Sequence, residues 1–270
     1  MKANGSIETL LKIMRQLRDP ESGCPWDLKQ DFESIVPYTL EEVYEVVDAI
    51  ERRDYPDLKD ELGDLLFQIV FYAQLASEQG KFEFADLVDA ISEKLVRRHP
   101  HVFERAKDEN GPEAALRSWE QIKAQERSAK AAQRRSADTA LGDIPLALPA
   151  LIRAQKLQHR AAHSGFDWDS VAGVLEKIRE ETQEVDAALR CQDAVRLQEE
   201  LGDLLFTCVN LVRKAGLNAE KTLRSANEKF RSRFEQMEKL AQKRGYKLDD
   251  LSQKQLDKLW EEVKRQEKTA

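Results

Sequence analysis

The sequence predicts an all-α protein made of two tandem copies of one helical unit. Three observations carry that prediction. Glycine and proline number only 11 and 8 in 270 residues, too few for the many turns of a β-sandwich or barrel. Apolar residues recur at helical spacing along most of the chain. A stretch in the first half also repeats letter for letter in the second: Glu61-Leu-Gly-Asp-Leu-Leu-Phe67 returns as Glu200-Leu-Gly-Asp-Leu-Leu-Phe206.

The elements follow in order. Residues 1–5 lead into a helical pattern with no apolar signal-peptide core behind them. In the first copy, helices are expected over 38–52, 56–79, 83–97 and 112–130. Thr39, after Pro37, offers a start signal for the first of these, and Pro56 sits where a helix can begin. Residues 125–145 are polar and basic (Arg127, Lys130, Arg134, Arg135) and end at Pro145, the composition of a linker. The expected organisation is a helical unit over 1–130, a linker over 131–145 and a second unit over 146–270. In the second unit, helices are expected over 170–190, 194–214, 218–244 and 252–268. Leu197, Leu201, Leu204, Leu205, Cys208 and Val212 trace a core-facing stripe along the second of them. Glu41-Glu42-Val-Tyr-Glu45 recurs as Glu180-Glu181-Thr-Gln-Glu184 at the same offset as the first repeat, so nothing was gained or lost between the paired motifs.

Composition bounds the function. The net charge of −7 argues against general nucleic-acid binding. No apolar run approaches the ~20 residues of a membrane span, so a soluble, cytoplasmic protein is expected. Cys24, Cys191 and Cys208 form neither a disulfide framework nor a paired zinc signature.

The chemistry lies in the carboxylates. Residues three apart share a helix face, so Glu181 and Glu184 point one way and Glu200 and Asp203 do so on the next helix. A short connection makes these helices antiparallel neighbours, and the four carboxylates can converge. Anions so placed repel, raising their pKa values unless a cation neutralises them. Oxygen ligation without His or Cys suits Mg²⁺, or Mn²⁺, rather than zinc. A di-iron bundle would need Glu-x-x-His motifs, and none of the four histidines lies in either motif. One Glu-x-x-Glu is ordinary on a charged helix, but the paired set is duplicated in register, as Glu42, Glu45, Glu61 and Asp64 in the first copy. Asp203 sits in an otherwise apolar run, where a charge is costly unless coordinated or paired. Gly63 and Gly202, mid-helix, cost about 1 kcal/mol each against Ala, which a close helix approach or room for a ligand could offset.

Cations suggest the substrate. Lys177 lies one turn before Glu181, Lys229 and Arg233 are again one turn apart, and Trp260 and Lys264 close the second unit. Carboxylate-bound metal with Lys and Arg suits a polyphosphate, and a Trp can stack on a base, although Trp260 also reads as a core residue. No P-loop or Gly-rich dinucleotide fingerprint is present, so side chains and metal would hold the phosphates.

These duplicated motifs, with Cys24-Pro-Trp-Asp27, Arg97-Arg-His-Pro-His-Val-Phe103 and Asn227-Glu-Lys-Phe-x-x-Arg-Phe234, resemble the MazG family of nucleoside triphosphate pyrophosphohydrolases in its two-copy bacterial form. The resemblance implies an all-α fold whose four-helix core assembles by homodimerisation. It implies Mg²⁺-dependent hydrolysis of NTPs to NMP and pyrophosphate, with broad base tolerance and a house-cleaning role. Carried over by position, Glu181, Glu184, Glu200 and Asp203 become metal ligands, and Lys177, Lys229, Arg233 and Trp260 nucleotide contacts. Glu180 and Glu199, each one turn from a proposed ligand, are both candidates for activating water. The first copy keeps its carboxylates, Lys94, Arg98, Trp119 and Lys123, but has Tyr38 where the second has Lys177, so its site is expected to be weaker. The alternative class is a nucleotide-sensing regulator with little turnover.

Overall fold

A computed structural model describes residues 5–103 and 144–269, with Gly111, Trp119, Ile122, Glu126, Leu141 and Gly142 besides. Two compact units divide the chain, Met1–Lys130 and Ala131–Ala270. Among the described residues there is no strand. Most of the expected linker, and most of the helix expected over 112–130, lies outside the described residues, although Trp119, Ile122 and Glu126 are helical.

In unit 1 the elements are α1 (Ile7–Leu17), a 3₁₀ turn (Asp27–Lys29), α2 (Phe32–Arg52), α3 (Tyr55–Glu78), α4 (Phe84–Arg98) and the short α5 (Pro100–Phe103). Helix α2 begins well before the expected start at residue 38. Asp31 and Ser34 form a reciprocal capping box there, and Pro37 lies inside the helix. Thr39 is not a cap: its hydroxyl donates back to the Ile35 carbonyl at 3.1 Å. Pro56 does sit in the first turn of α3, where a missing N–H costs nothing. The core joins Met14, Ile35, Val70, Phe71 and Leu75, with Phe32, Phe67 and Phe84 packed around it. Arg18 fixes the Cys24–Asp27 segment, donating to the Asp27 carbonyl at 2.5 Å and pairing with Glu78 at 2.6 Å.

Unit 2 contains α6 (Ala150–His163), α7 (Val171–Cys191), α8 (Ala194–Lys214), α9 (Ala219–Lys243), a 3₁₀ turn (Leu248–Asp250) and α10 (Gln253–Thr269). Helix α6 has no counterpart among the expected helices. It ties the unit together through two glutamines. Gln158 Nε2 donates to the Phe206 carbonyl at 2.7 Å, and Gln155 bonds both the Leu217 carbonyl and the Ala219 N–H. Helices α9 and α10 pack through Met237, Ala241, Leu259 and Val263.

The hairpins α2–α3 and α7–α8 turn in the same way. Arg53 and Gln192 each end a helix in the left-handed region (φ 58° and 53°), and Asp54 and Asp193 cap the next one. Left-handed backbone is costly for non-glycine residues, and among the described residues these two are the only non-glycines in it. The same strained turn, repeated at equivalent positions of the two copies, fixes how the carboxylates of one helix face those of the next. No helix closely approaches Gly63 or Gly202 within its own unit, because a Cβ at either would meet no atom within 4 Å.

Candidate active site and metal centre

Each hairpin gathers three carboxylates. In unit 2, ligand oxygens of Glu181 and Glu184 on α7 and Glu200 on α8 lie within 4.8 Å of one another, and Glu42, Glu45 and Glu61 do the same in unit 1. The fourth expected members stand outside these groups. Asp203 and Asp64 lie one turn beyond Glu200 and Glu61 and are exposed to solvent. Asp64 is still close enough to Glu42 to act on its charge. Within the chain, the apolar run around Asp203 does not make its charge costly, since Leu201, Leu205 and Phe206 are exposed too.

The electrostatics are those of crowded anions. Burial, then the carboxylates of Glu200 and Glu181, raise the Glu184 pKa, with Lys177 opposing. Burial and then Asp64 and Glu45 raise Glu42, against a hydrogen bond from Gln68. Glu61 is raised by burial and then by Glu45 and Asp57. Glu181 is 4% exposed, and its Oε2 is buried with no hydrogen-bond partner. An orphaned carboxylate oxygen costs about 1–3 kcal/mol or more. On a side chain clustered with two further carboxylates, it fits a hard, oxygen-seeking dication: such an ion would satisfy the orphaned atom and relieve the repulsion together.

The candidate cations are engaged within the chain. Lys177 Nζ lies 2.8 Å from Glu180 and 2.9 Å from Glu181, and these carboxylates push its pKa up. Arg196, to which the sequence assigned no role, holds Glu200 at 3.1 Å; its place one turn before Glu200 was the available signal. Glu199 is exposed on α8.

The remaining candidates form a second group on α9 and α10. The Arg233 guanidinium lies 6.0 Å from the Trp260 ring centroid and pairs with Glu267 at 2.8 Å, and Phe230 packs on Trp260 at 5.4 Å. Trp260 is half-buried beside the α9–α10 core, so both of its expected roles have a footing. Lys229 is exposed, and Lys264 pairs with Glu261 at 2.7 Å. No hydrogen bond or ion pair joins these groups to the clustered carboxylates among the described residues. Unit 1 repeats the arrangement: Arg98 lies over Trp119 at 5.8 Å and pairs with Glu126 at 2.5 Å. Glu126 and Glu267 were missed, yet they are related by the same offset as Trp119 and Trp260.

Known proteins bear on this geometry. The model of the MazG nucleotide pyrophosphohydrolase domain matches twice, at residues 30–103 and 166–238, together more than half the chain. The nucleoside triphosphate pyrophosphohydrolase of Escherichia coli (strain K12) is 52% identical over 263 residues, 97% of this chain and 98% of that protein. Nucleoside triphosphate pyrophosphohydrolase/pyrophosphatase MazG of Thermotoga maritima is 44% identical over 265 residues, 98% of each.

Proposed function

The chain belongs to the MazG family of nucleotide pyrophosphohydrolases, and we propose that it cleaves nucleoside triphosphates between the α and β phosphates, NTP + H₂O → NMP + pyrophosphate, chiefly at the unit 2 cluster. One observation carries the choice of site: Glu181, clustered with Glu184 and Glu200, has a buried Oε2 without a partner. Mg²⁺, with Mn²⁺ as a substitute, would be held by Glu181, Glu184 and Glu200, with Asp203 one turn on as the fourth ligand; Glu42, Glu45, Glu61 and Asp64 are the set weaker in turnover. A bound dication supplies charge neutralisation of the triphosphate and polarisation of the phosphorus under attack.

The chain's own groups do the rest. Lys177, paired with Glu180 and Glu181, exchanges carboxylate for phosphate when the triphosphate arrives. That exchange frees the Glu180 carboxylate, which, like Glu199, is a candidate to take a proton from the attacking water. Arg233 and Lys229 hold phosphate oxygens, with Glu267 fixing the Arg233 guanidinium beforehand. Stacking on Trp260 uses the π-face common to all bases, which supports broad base tolerance and a house-cleaning role. A homodimer is part of this reading, because α3 and α8 expose apolar rows (Leu62, Leu66 and Ile69; Leu201, Leu205 and Phe206) that a single unit leaves uncovered. Among the described residues no helix is long and apolar enough to cross a membrane; a cytoplasmic location and the absence of a nucleic-acid partner complete the proposal.

The test is pyrophosphate against orthophosphate release from a panel of NTPs and dNTPs with Mg²⁺. Glu181→Gln is expected to abolish pyrophosphate release, and Glu42→Gln to leave most of it. Equal losses would move the principal site. No pyrophosphate from any substrate, with nucleotide binding intact, would make the protein a nucleotide-sensing regulator.

A further inference from the structure

The two clusters share their hairpin, turn and spacing and differ in the cations around them. In unit 2, Lys177 and Arg196 each stand one turn before a clustered carboxylate and hold it, Glu181 at 2.9 Å and Glu200 at 3.1 Å. The equivalent positions in unit 1 are Tyr38 and Asp57. Tyr38 is uncharged and packs edge-on against Trp26, with ring centroids 5.7 Å apart. Asp57 is an anion within electrostatic reach of Glu61. It pairs with Arg52, which also holds Asp48 and Asp54. Among the described residues no lysine or arginine pairs with Glu42, Glu45 or Glu61.

A second observation points to a ligand in unit 1. Gln68 is 5% exposed, its side chain lies close enough to Glu42 to favour that carboxylate's charge, and its own Oε1 is buried without a partner. An amide oxygen left without a donor is costly. On a side chain next to Glu42 of the cluster, the missing donor matches a water carried by a hydrated dication, since Mg²⁺ keeps several waters when bound by carboxylates.

We propose that the two clusters take their divalent ion in different forms: unit 1 binds the free hydrated ion, and unit 2 binds it only together with a nucleoside polyphosphate. The inference rests on the reading that both clusters are metal ligands. A dication entering unit 2 alone must break both ion pairs, leaving Lys177 with Glu180 alone and Arg196 without its carboxylate. A triphosphate arriving with the ion brings anionic oxygens that accept Lys177 and Arg196, so the exchange leaves no charge unpaired. Unit 1 has no internal cation to displace and no counterpart of Lys177 to receive a phosphate, so it serves as a resident ion site.

The experiment is a Mn²⁺ titration of the full chain without nucleotide, with free Mn²⁺ counted by its aqueous EPR signal. One ion per chain is expected, lost in Glu45→Gln and kept in Glu184→Gln. Tyr38→Lys, which installs the unit 2 counterion in unit 1, is expected to weaken that ion about tenfold while circular dichroism stays unchanged. No bound ion, two ions of like affinity, an ion lost in Glu184→Gln, or an unaltered affinity in folded Tyr38→Lys would each overturn the proposal. Pyrophosphate release is not read, so a chain that binds Mn²⁺ as expected without turning over NTP would sink the activity and leave this asymmetry standing.

Discussion

Glu126 shows what one side chain contributes and how far the sequence announces it. Arg98 and Arg97 both donate to its carboxylate, and that bonding, Arg98 first, pulls its pKa from 4.5 down to about 2 against the opposing effect of burial. A depressed carboxylate pKa means that the unfolded chain binds more protons between those values. The stability is therefore whole above the unfolded pKa of 4.5 and is lost as pH falls toward about 2. Its size is on the order of 1 kcal/mol once solvent screening is allowed for. The difference in melting temperature between wild type and Glu126→Gln is expected to hold steady from pH 7 to 5 and to shrink from pH 4 to 3, read by scanning calorimetry. A difference undiminished at pH 3 would show that packing, not ion pairing, is its source. Arg98 and Trp119 were legible because their spacing and type repeat in the second copy. Glu126 repeats too, but one glutamate on a charged helix carries no signal until its arginine is located. The run around Asp203 misleads the other way about burial: its neighbours are core letters, and letters do not tell which apolar face a single unit leaves open.

At the scale of elements, periodicity and the duplicated motif placed the α7–α8 hairpin to within about a residue, because a helix with an apolar stripe and carboxylates three apart has one way to face its neighbour. Sequence and structure part at one helix start and at one weak stripe. Pro37 reads as a boundary because proline opposes helix on both sides. Tertiary burial overrode it: Ile35 is 2% exposed in the core, and the Asp31–Ser34 capping box secures the extra turn. Helix α6 buries no large apolar side chain, only Gln158, so its hold on unit 2 comes through amides that the pattern does not weigh. Proline inside α2 leaves the Glu33 carbonyl without its helical donor. Pro37→Ala restores that bond while giving the unfolded chain more freedom, and the net gain is expected to be about 1–2 kcal/mol. A higher urea midpoint with unchanged slope would bear this out. A lower midpoint would mean that the proline ring itself is packed, in the folded protein, against a surface outside its own helix.

On the scale of the whole molecule, duplication was the most legible feature, since an uninterrupted register between the paired motifs survives where loops drift. What one copy leaves uncovered was not legible, because identical letters serve a buried and an exposed row equally well. The repeated Leu-Gly-Asp-Leu-Leu-Phe stretch exposes Leu62 and Leu66 at 49% and 38%, and Leu201 and Leu205 at 42% and 64%. Beside Leu205 and Phe206 a groove of about 490 Å³ runs between α8 and α6, lined by Leu151, Leu157 and Val209. Gly202 opens onto it, and a methyl group on its Cα would meet no atom within 4 Å. Apolar rows of this extent on charged helices are expensive in water, and a second copy of the chain offers the same rows in return. Sedimentation of the wild type is accordingly expected at twice the 31.0 kDa of one chain. Leu205→Glu places a charge in that row without touching a buried side chain, since Leu205 is already mostly exposed. It is expected to shift sedimentation to one chain while leaving the helical circular dichroism intact. A Leu205→Glu protein that remains a dimer would place the contact elsewhere on the chain, and a monomeric wild type would leave the apolar rows to some other partner.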